Sequence, residues 1–317
     1  MTTMAILGGG PIGLACLARA RAEGWDAHLF ERGRLGENVL AWGHVGMFSP
    51  LAMNLPAAPI DARRTSDALL TGAEYVTDVL EPLATTAALT GRVHLETEVV
   101  AVAREGLRKG ERGAAKARRN LPFRLLLRDA RGERAGSAAV VVDATGTYGQ
   151  HNWLGPGGSP AVGERLAEPD IDWRLPDIPS RDRARFAGRH TLVVGAGHSA
   201  ATALVWLGEL AERVPGTRVT WLTRAEGPRP VAEITADPLR ERGRIARAAN
   251  AHAAAGTRWL SRLSGARILE LRRSATGHDI LVADGGEPHT VTADRILALV
   301  GYRPDLDLTR ELQVQTC

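Results

Sequence analysis

The sequence predicts an α/β fold of two Rossmann-like (doubly wound, three-layer) dinucleotide-binding domains, the second inserted in the first. Three observations carry this. A grammar of buried strand, glycine turn, apolar helix and second strand runs through Met4–Glu31. The same grammar recurs at Thr191–Arg224. Each half later returns a buried strand into a small-residue loop, at Val140–Gly146 and Arg295–Gly301. A repeated βαβ unit with these closures is the signature of a dinucleotide fold. The chain length, 317 residues, suits about two domains at roughly 150 residues each.

The first unit opens at once. Met4–Gly8 reads as a strand, Cys16–Glu23 as a helix and Asp26–Glu31 as the second strand. The turn Gly8-x-Gly10-Pro11-Ile12-Gly13 has a reason for each glycine. Gly8 permits the tight turn, Gly10 lets backbone approach a pyrophosphate, and Gly13 lets helix lie close to strand. The helix then presents free N–H groups and its positive dipole end to phosphate. Glu31, followed by Arg32, stands where an acid should take ribose hydroxyls.

Downstream, Thr71–Thr86 reads as a helix, and Val93–Glu96 and Val99–Arg104 as strands. Phe123–Arg128 and Ala138–Asp143 read as a β-pair about the turn Asp129–Gly132. The basic stretch Arg104–Arg119 reads as a solvated extension between strands, because no aromatic residues interleave it to stack bases. Pro176 and Pro179 mark an extended linker. The expected boundaries are therefore 1–150 with 301–317 for the first domain, 151–188 for a crossing linker and 189–300 for the second domain.

The second turn is Gly195-x-Gly197-His198-Ser199-Ala200, with Ala in the third place. Its second strand runs into Arg224 instead of an acid. An acid repels a 2′-phosphate and an Arg pairs with it, so this site is built for NADP over NAD. Pro238–Ala254 then reads as a helix. Ala266–Arg272, Asp279–Val282, His289–Thr292 and Arg295–Val300 read as strands.

Bulk properties exclude several classes. Apolar residues make up 44 % and charged residues 24 %, with a net charge of +4. There is no run of roughly 18 apolar residues to span a bilayer and no secretory leader pattern, so a cytoplasmic protein is expected. The two cysteines, Cys16 and Cys317, form no C-x-x-C pair. The nine histidines show no metal-ligand spacing, so no metal is expected. Neither nucleic acid nor membrane is an expected partner, and a homo-oligomer stays open.

With these motifs in order, the chain resembles the two-dinucleotide-domain flavoproteins, and within them the flavin-containing monooxygenases. Asp143–Gly146 resembles the Ala-Thr-Gly loop that closes the FAD half, which brings Thr145 and Gly146 to the flavin nucleotide. Leu299–Pro304 resembles its counterpart, and Phe186–Ser199 the approach to the NADPH turn. The resemblance implies FAD at Gly8–Gly13 and NADPH at Gly195–Ala200. Ser199 matches the family and His198 departs from it. Phe48–Pro56 resembles a segment in which an Asn faces the flavin, which makes Asn54 the candidate catalytic residue. On the residues alone, Asn54 equally caps a turn before Pro56. Trp42 and His44 contact the flavin nucleotide or serve the core.

The resemblance implies NADPH-driven oxidation of nitrogen or sulfur in a small molecule, with O2 adding at flavin C4a as a hydroperoxide. An NADPH-dependent reductase serving an electron carrier, and a non-catalytic dinucleotide-binding protein, are the alternatives. Family members continue past the Gly-Tyr-Arg-Pro stretch into a Gly-Asp segment that closes over the flavin. This sequence stops at Cys317, so the FAD site is expected to lack that wall.

Overall fold

The computed structural model describes residues 3–55, 65–111 and 115–315; Pro56, Arg112 and Cys317 lie outside them. The chain divides into two units, Met1–Gln150 with Arg303–Cys317 and His151–Tyr302.

In the first unit, strands β1 (Thr3–Leu7), β2 (Asp26–Phe30), β3 (Val93–His94) and β7 (Val140–Asp143) form a parallel sheet of order β3-β2-β1-β7. Helix α1 (Pro11–Ala22) links β1 to β2. Alternation along the strands decides what each face covers. Ile6, Ala27 and Leu29 face a core shared with Leu14 and Leu17 of α1. Ala5, Leu7 and Phe30 face the other way, against the antiparallel meander β4 (Glu98–Arg104), β5 (Phe123–Asp129) and β6 (Gly132–Ala138).

The expected pairing of 123–128 with 138–143 is corrected here. Phe123–Asp129 pairs with Gly132–Ala138, and Val140–Asp143 leaves to join β1. Strand β6, Gly-Glu-Arg-Ala-Gly-Ser-Ala, lacks an apolar face to announce it.

The helix expected over 71–86 spans 72–84. It opens with a capping box, Thr71 Oγ1 accepting from Glu74 N–H and the Glu74 carboxylate from Thr71 N–H. It widens to a π-turn over Val76–Leu80, just before Pro82. Proline removes a helical N–H, and a π-turn absorbs that mismatch.

The second unit repeats the plan. Strands β8 (Ile171–Asp172), β9 (His190–Val194), β10 (Arg218–Thr223), β11 (Leu260–Ser264) and β15 (Arg295–Ala298) build a parallel sheet of order β11-β10-β9-β15-β8. Helices α2 (His198–Arg213) and α3 (Arg240–Ala254) follow β9 and β10 in the chain. Strands β12 (Arg267–Ser274), β13 (Gly277–Ala283) and β14 (His289–Ala293) form a second antiparallel meander. Ile268, Leu271, Ile280 and Val282 from it share a core with Leu192, Val194 and Ile296 of the parallel sheet.

Residues 151–188, expected as a linker, belong to this unit. Ile171–Asp172 extends its sheet beside β15, and Leu154, Ile178 and Phe186 are buried. The prolines in this stretch shape an irregular but packed path. Among the described residues, no helix is long and apolar enough to cross a membrane. No group of three or more described His, Cys, Asp or Glu is placed to hold a metal.

Candidate functional site

The two glycine turns are near copies in backbone. Gly10 caps α1 at φ −83°, ψ −176°, and Gly197 caps α2 at φ −81°, ψ 177°. Gly8 and Gly195 take φ of +105° and +122°, a region that glycine enters without Cβ strain. Gly8 N–H donates to Phe30 O (2.8 Å), and Gly195 N–H to Leu222 O (3.1 Å). A Cβ on Gly8 would lie 2.5 Å from Ala144 O, and one on Gly195 2.3 Å from Leu299 O. The loops after β7 and β15 therefore close on their turns in the same way.

The middle glycines face open space, with no atom within 4 Å of a Cβ built on Gly10 or Gly197. That opening lies at the first turns of α1 and α2, where unpaired N–H groups accept an anion. Pro11 offers no N–H, so the first turn has one donor fewer than the second, where His198 occupies that place. The third positions differ. A Cβ on Gly13 would lie 1.9 Å from Gly8 O, whereas Ala200 keeps its methyl fully buried in the equivalent place.

Around the first turn lies a cavity of about 440 Å³, within the range of small-molecule sites. Gly8, Gly10, Pro11, Ile12, Glu31, Arg32, Thr145 and Gly146 all line it. Ile12, 68 % exposed, gives it an apolar wall. Glu31 is held in place by the turn it serves: Oε2 accepts from Gly9 N–H at 2.6 Å and Oε1 from Gly33 N–H at 2.9 Å. Each carboxylate oxygen keeps a lone pair for a hydroxyl. Thr145 N–H and Oγ1–H both donate to Asp143 Oδ1, which fixes the loop behind Gly8.

Sequence reasoning missed Glu37, Glu98, Asp305 and Asp307, which also line the cavity. They come from separate loops and strand ends, so no spacing could group them. With Glu31 they make the wall acidic, with Arg32 as the basic lining residue. Such a wall suits ribose hydroxyls and leaves phosphate to the helix end.

Strand register refines the second turn. Leu7 pairs with Phe30, and Val194 with Leu222. The counterpart of Glu31 is therefore Thr223, and Arg224 corresponds to Arg32. Thr223 is fully buried and its hydroxyl donates to Ala225 O; Arg224 is exposed. Ser199 is exposed at the start of α2. His198 lies in the field of an Asp237–Arg242 pair, bidentate at 2.7 and 2.8 Å. The hydrogen bond from Arg242 lowers the Asp237 pKa to about 2. Burial, then Arg242, lowers the pKa of His198, against the pull of Asp237. The imidazole is thus neutral near pH 7. The loop joining β10 to α3 supplies Asp237 and the first turn of α3 supplies Arg242, and no motif in either announced as much.

No protein family and no curated protein matches the sequence, but solved structures match its fold over almost the whole chain. The bacillithiol disulfide reductase of Bacillus cereus is similar at 21 % identity and TM-score 0.73, covering 99 % of this chain and 82 % of that one. The ornithine N-hydroxylase of Kutzneria sp. 744, with reduced FAD, NADP+ and L-ornithine, is similar at 18 % identity and TM-score 0.65, over 98 % and 83 %. The flavin-containing monooxygenase of Stenotrophomonas maltophilia is similar at 20 % identity and TM-score 0.61, over 100 % and 83 %. This is the two-dinucleotide-domain flavoprotein fold.

Three candidates are not among the described lining residues of the cavity. Trp42 packs against Gly72, where a Cβ would lie 2.7 Å from its ring, and joins the core beside α1. His44 is half-buried in the turns that follow, and neither residue is among the described lining of the cavity. Asn54 ends the short helix Leu51–Asn54 and bonds locally. Its side-chain amide donates to Ser49 O (3.1 Å), Pro50 O (2.9 Å) and Ser49 Oγ (2.8 Å), and Tyr75 O–H donates to its backbone carbonyl (2.7 Å). These side-chain bonds run back to Ser49 and Pro50, and the turn before Pro56 that Asn54 was expected to cap lies outside the described residues. Cys16 is half-buried against the same core as Trp42.

Proposed function

We propose that this chain is an FAD- and NADPH-dependent oxidoreductase, with FAD at the Gly8–Gly13 turn and NADPH at the Gly195–Ala200 turn. The observation that carries the proposal is the duplicated cradle: two caps of matching geometry, each open where a pyrophosphate would lie, the first with Glu31 bound to its Gly9 N–H and the second with Arg224 one residue past the counterpart of Glu31. Bound flavin would supply hydride acceptance from nicotinamide and passage of the electrons onward. The protein's part is binding and orientation. Glu31 would hold ribose hydroxyls, the α1 terminus the pyrophosphate, and Arg224 a 2′-phosphate.

Two fates of the electrons follow. Oxygen insertion at nitrogen or sulfur of a small molecule is the reading that Asn54 was to serve. Reduction of an electron carrier is the second reading, and it is favoured by the local hydrogen bonding of Asn54, which is not among the described lining residues of the cavity. Similarity to a disulfide reductase supports it too.

The test has two stages. Purified protein titrated with FAD is expected to acquire the spectrum of bound flavin and to bleach with NADPH without oxygen. Protein that stays colourless is instead a non-catalytic nucleotide binder. Oxygen is then admitted with candidate amines and thioethers. Recovery of all NADPH electrons as hydrogen peroxide rules out oxygen insertion into those substrates.

A further inference from the structure

A second cavity, of about 370 Å³, lies in the second unit at the end of the sheet away from the glycine turn. Arg189 leads into β9, Asp294 and Arg295 into β15, and Asp170 into β8, so all four gather at the amino ends of parallel strands. The β12–β13 hairpin adds Arg273 and His278. Nucleotides in such folds bind at the carboxyl ends. The cavity is therefore separate from the Gly195 cradle, which stands at the opposite end of β9.

Its chemistry is unbalanced toward an anion. Three arginines face two carboxylates, and both carboxylates are engaged. Asp170 pairs with Arg273, and Asp294 accepts from His190 N–H at 2.7 Å. Arg189 is exposed and has no ion pair among the described residues. The hairpin is pressed against this wall, since a Cβ on Gly277 would lie 2.3 Å from Ala293 O.

The decisive group is His278. Its side chain is 7 % exposed, and neither ring nitrogen completes a hydrogen bond. Asp170 stands 3.9 Å from Nε2, and the Ala293 carbonyl pulls on the ring without satisfying it. A buried imidazole whose nearest acid stands at 3.9 Å, beyond hydrogen-bond reach, is under-satisfied, and such groups are normally paired. Here it looks into a cavity walled by guanidinium groups.

We propose that this cavity binds a phosphate-class dianion, held by Arg189, Arg273 and Arg295 and accepting a hydrogen bond from His278. Guanidinium forks match phosphate oxygens, and an imidazole N–H supplies the inner donor.

The test is titration of the full chain with inorganic phosphate, followed by calorimetry and by the ring resonances of His278. Saturable binding is expected, with the His278 imidazole titrating at higher pH when phosphate is present. Arg189→Gln and Arg273→Gln are each expected to weaken phosphate by about tenfold or more, the scale of a charge-assisted hydrogen bond. The phosphate-induced shift of the His278 ring should persist in Gly197→Val, whose change is confined to the opposite end of β9. Methyl phosphate run in parallel separates the sources. A tighter ester assigns the site to the phosphate of a larger metabolite, and a weaker one to free phosphate. Absence of saturable binding, an unmoved His278, unchanged affinity in both arginine variants, or loss confined to Gly197→Val would overturn the proposal.

Discussion

The first glycine turn is tighter and more acidic than the second, although the two share a backbone. The difference begins at one methyl group. Gly13 lies so close to Gly8 O that a Cβ would fall at 1.9 Å, while Ala200 carries a buried methyl at the same place. It continues at the strand end, where Glu31 is clamped by Gly9 and Gly33 N–H groups and its counterpart Thr223 is followed by exposed Arg224. The lesson is that one backbone cradle can be kept while the residues just past the second strand change the chemistry around it.

The largest expected effect tests whether the two cradles are separate. Gly10→Val has room for its side chain in the apo protein, so it should fold and yet lose FAD binding, because the valine takes the pyrophosphate's place. Gly197→Val should lose NADPH and keep FAD. Visible absorbance after each titration decides this, and a yellow Gly10→Val protein would sink the assignment.

Next comes the methyl group. Gly13→Ala should cost roughly 2–3 kcal/mol in denaturant unfolding, by overpacking against Gly8 O. Ala200→Gly should cost only about 1 kcal/mol, the helix penalty of glycine. Equal losses would erase the structural contrast between the turns.

Smaller still, Arg224→Ala should weaken NADPH by about tenfold and leave NADH nearly unchanged, as one charge-assisted contact to a 2′-phosphate requires. An equal loss for both cofactors removes the case for 2′-phosphate recognition.

The smallest effect concerns acid stability of the first unit. Arg92 donates to His28 Nε2 at 2.7 Å, so His28 carries its proton on Nδ1 and donates it to His94 Nε2 at 2.9 Å. Burial lowers both histidine pKa values, with Arg92 adding to the effect on His28 and the neighbouring His28 to that on His94. A lowered folded pKa means that the unfolded chain binds more protons just below its own pKa, about 6.5. Stability is therefore whole above that pH and falls as pH drops below it. His28→Gln should flatten this dependence in thermal unfolding between about pH 7 and pH 5; an unaltered slope refutes it.

Local signals were the readable ones. Each glycine of the two turns, Glu31, Thr145 and Gly146 announced its place through neighbours a few residues away. What needed three dimensions stayed hidden. Thr223 rather than Arg224 is the counterpart of Glu31 because β10 is one residue longer than β2, six against five, which only the ladder reveals. Glu37, Glu98 and Asp305 meet at one cavity from distant segments. Trp42, His44 and Asn54 were reached through a resemblance and not through any local spacing, and packing against Gly72 and bonds to Ser49 and Pro50 engage Trp42 and Asn54. Strand β6 carries too few apolar residues to be seen, and the prolines of 151–188 disguised buried Ile178 and Phe186 as linker.

The point where the chain leaves one unit for the other has a genetic consequence. Arg303 N–H donates to Gln150 O at 2.8 Å, and Asn152 N–H to Gly301 O at 3.0 Å, so the path out and the path back run side by side. An inserted module whose two ends touch can be cut out or exchanged with a single short splice, without redrawing the host. Such a junction would let recombination replace the inserted half whole, glycine turn included, while the host half is inherited unchanged.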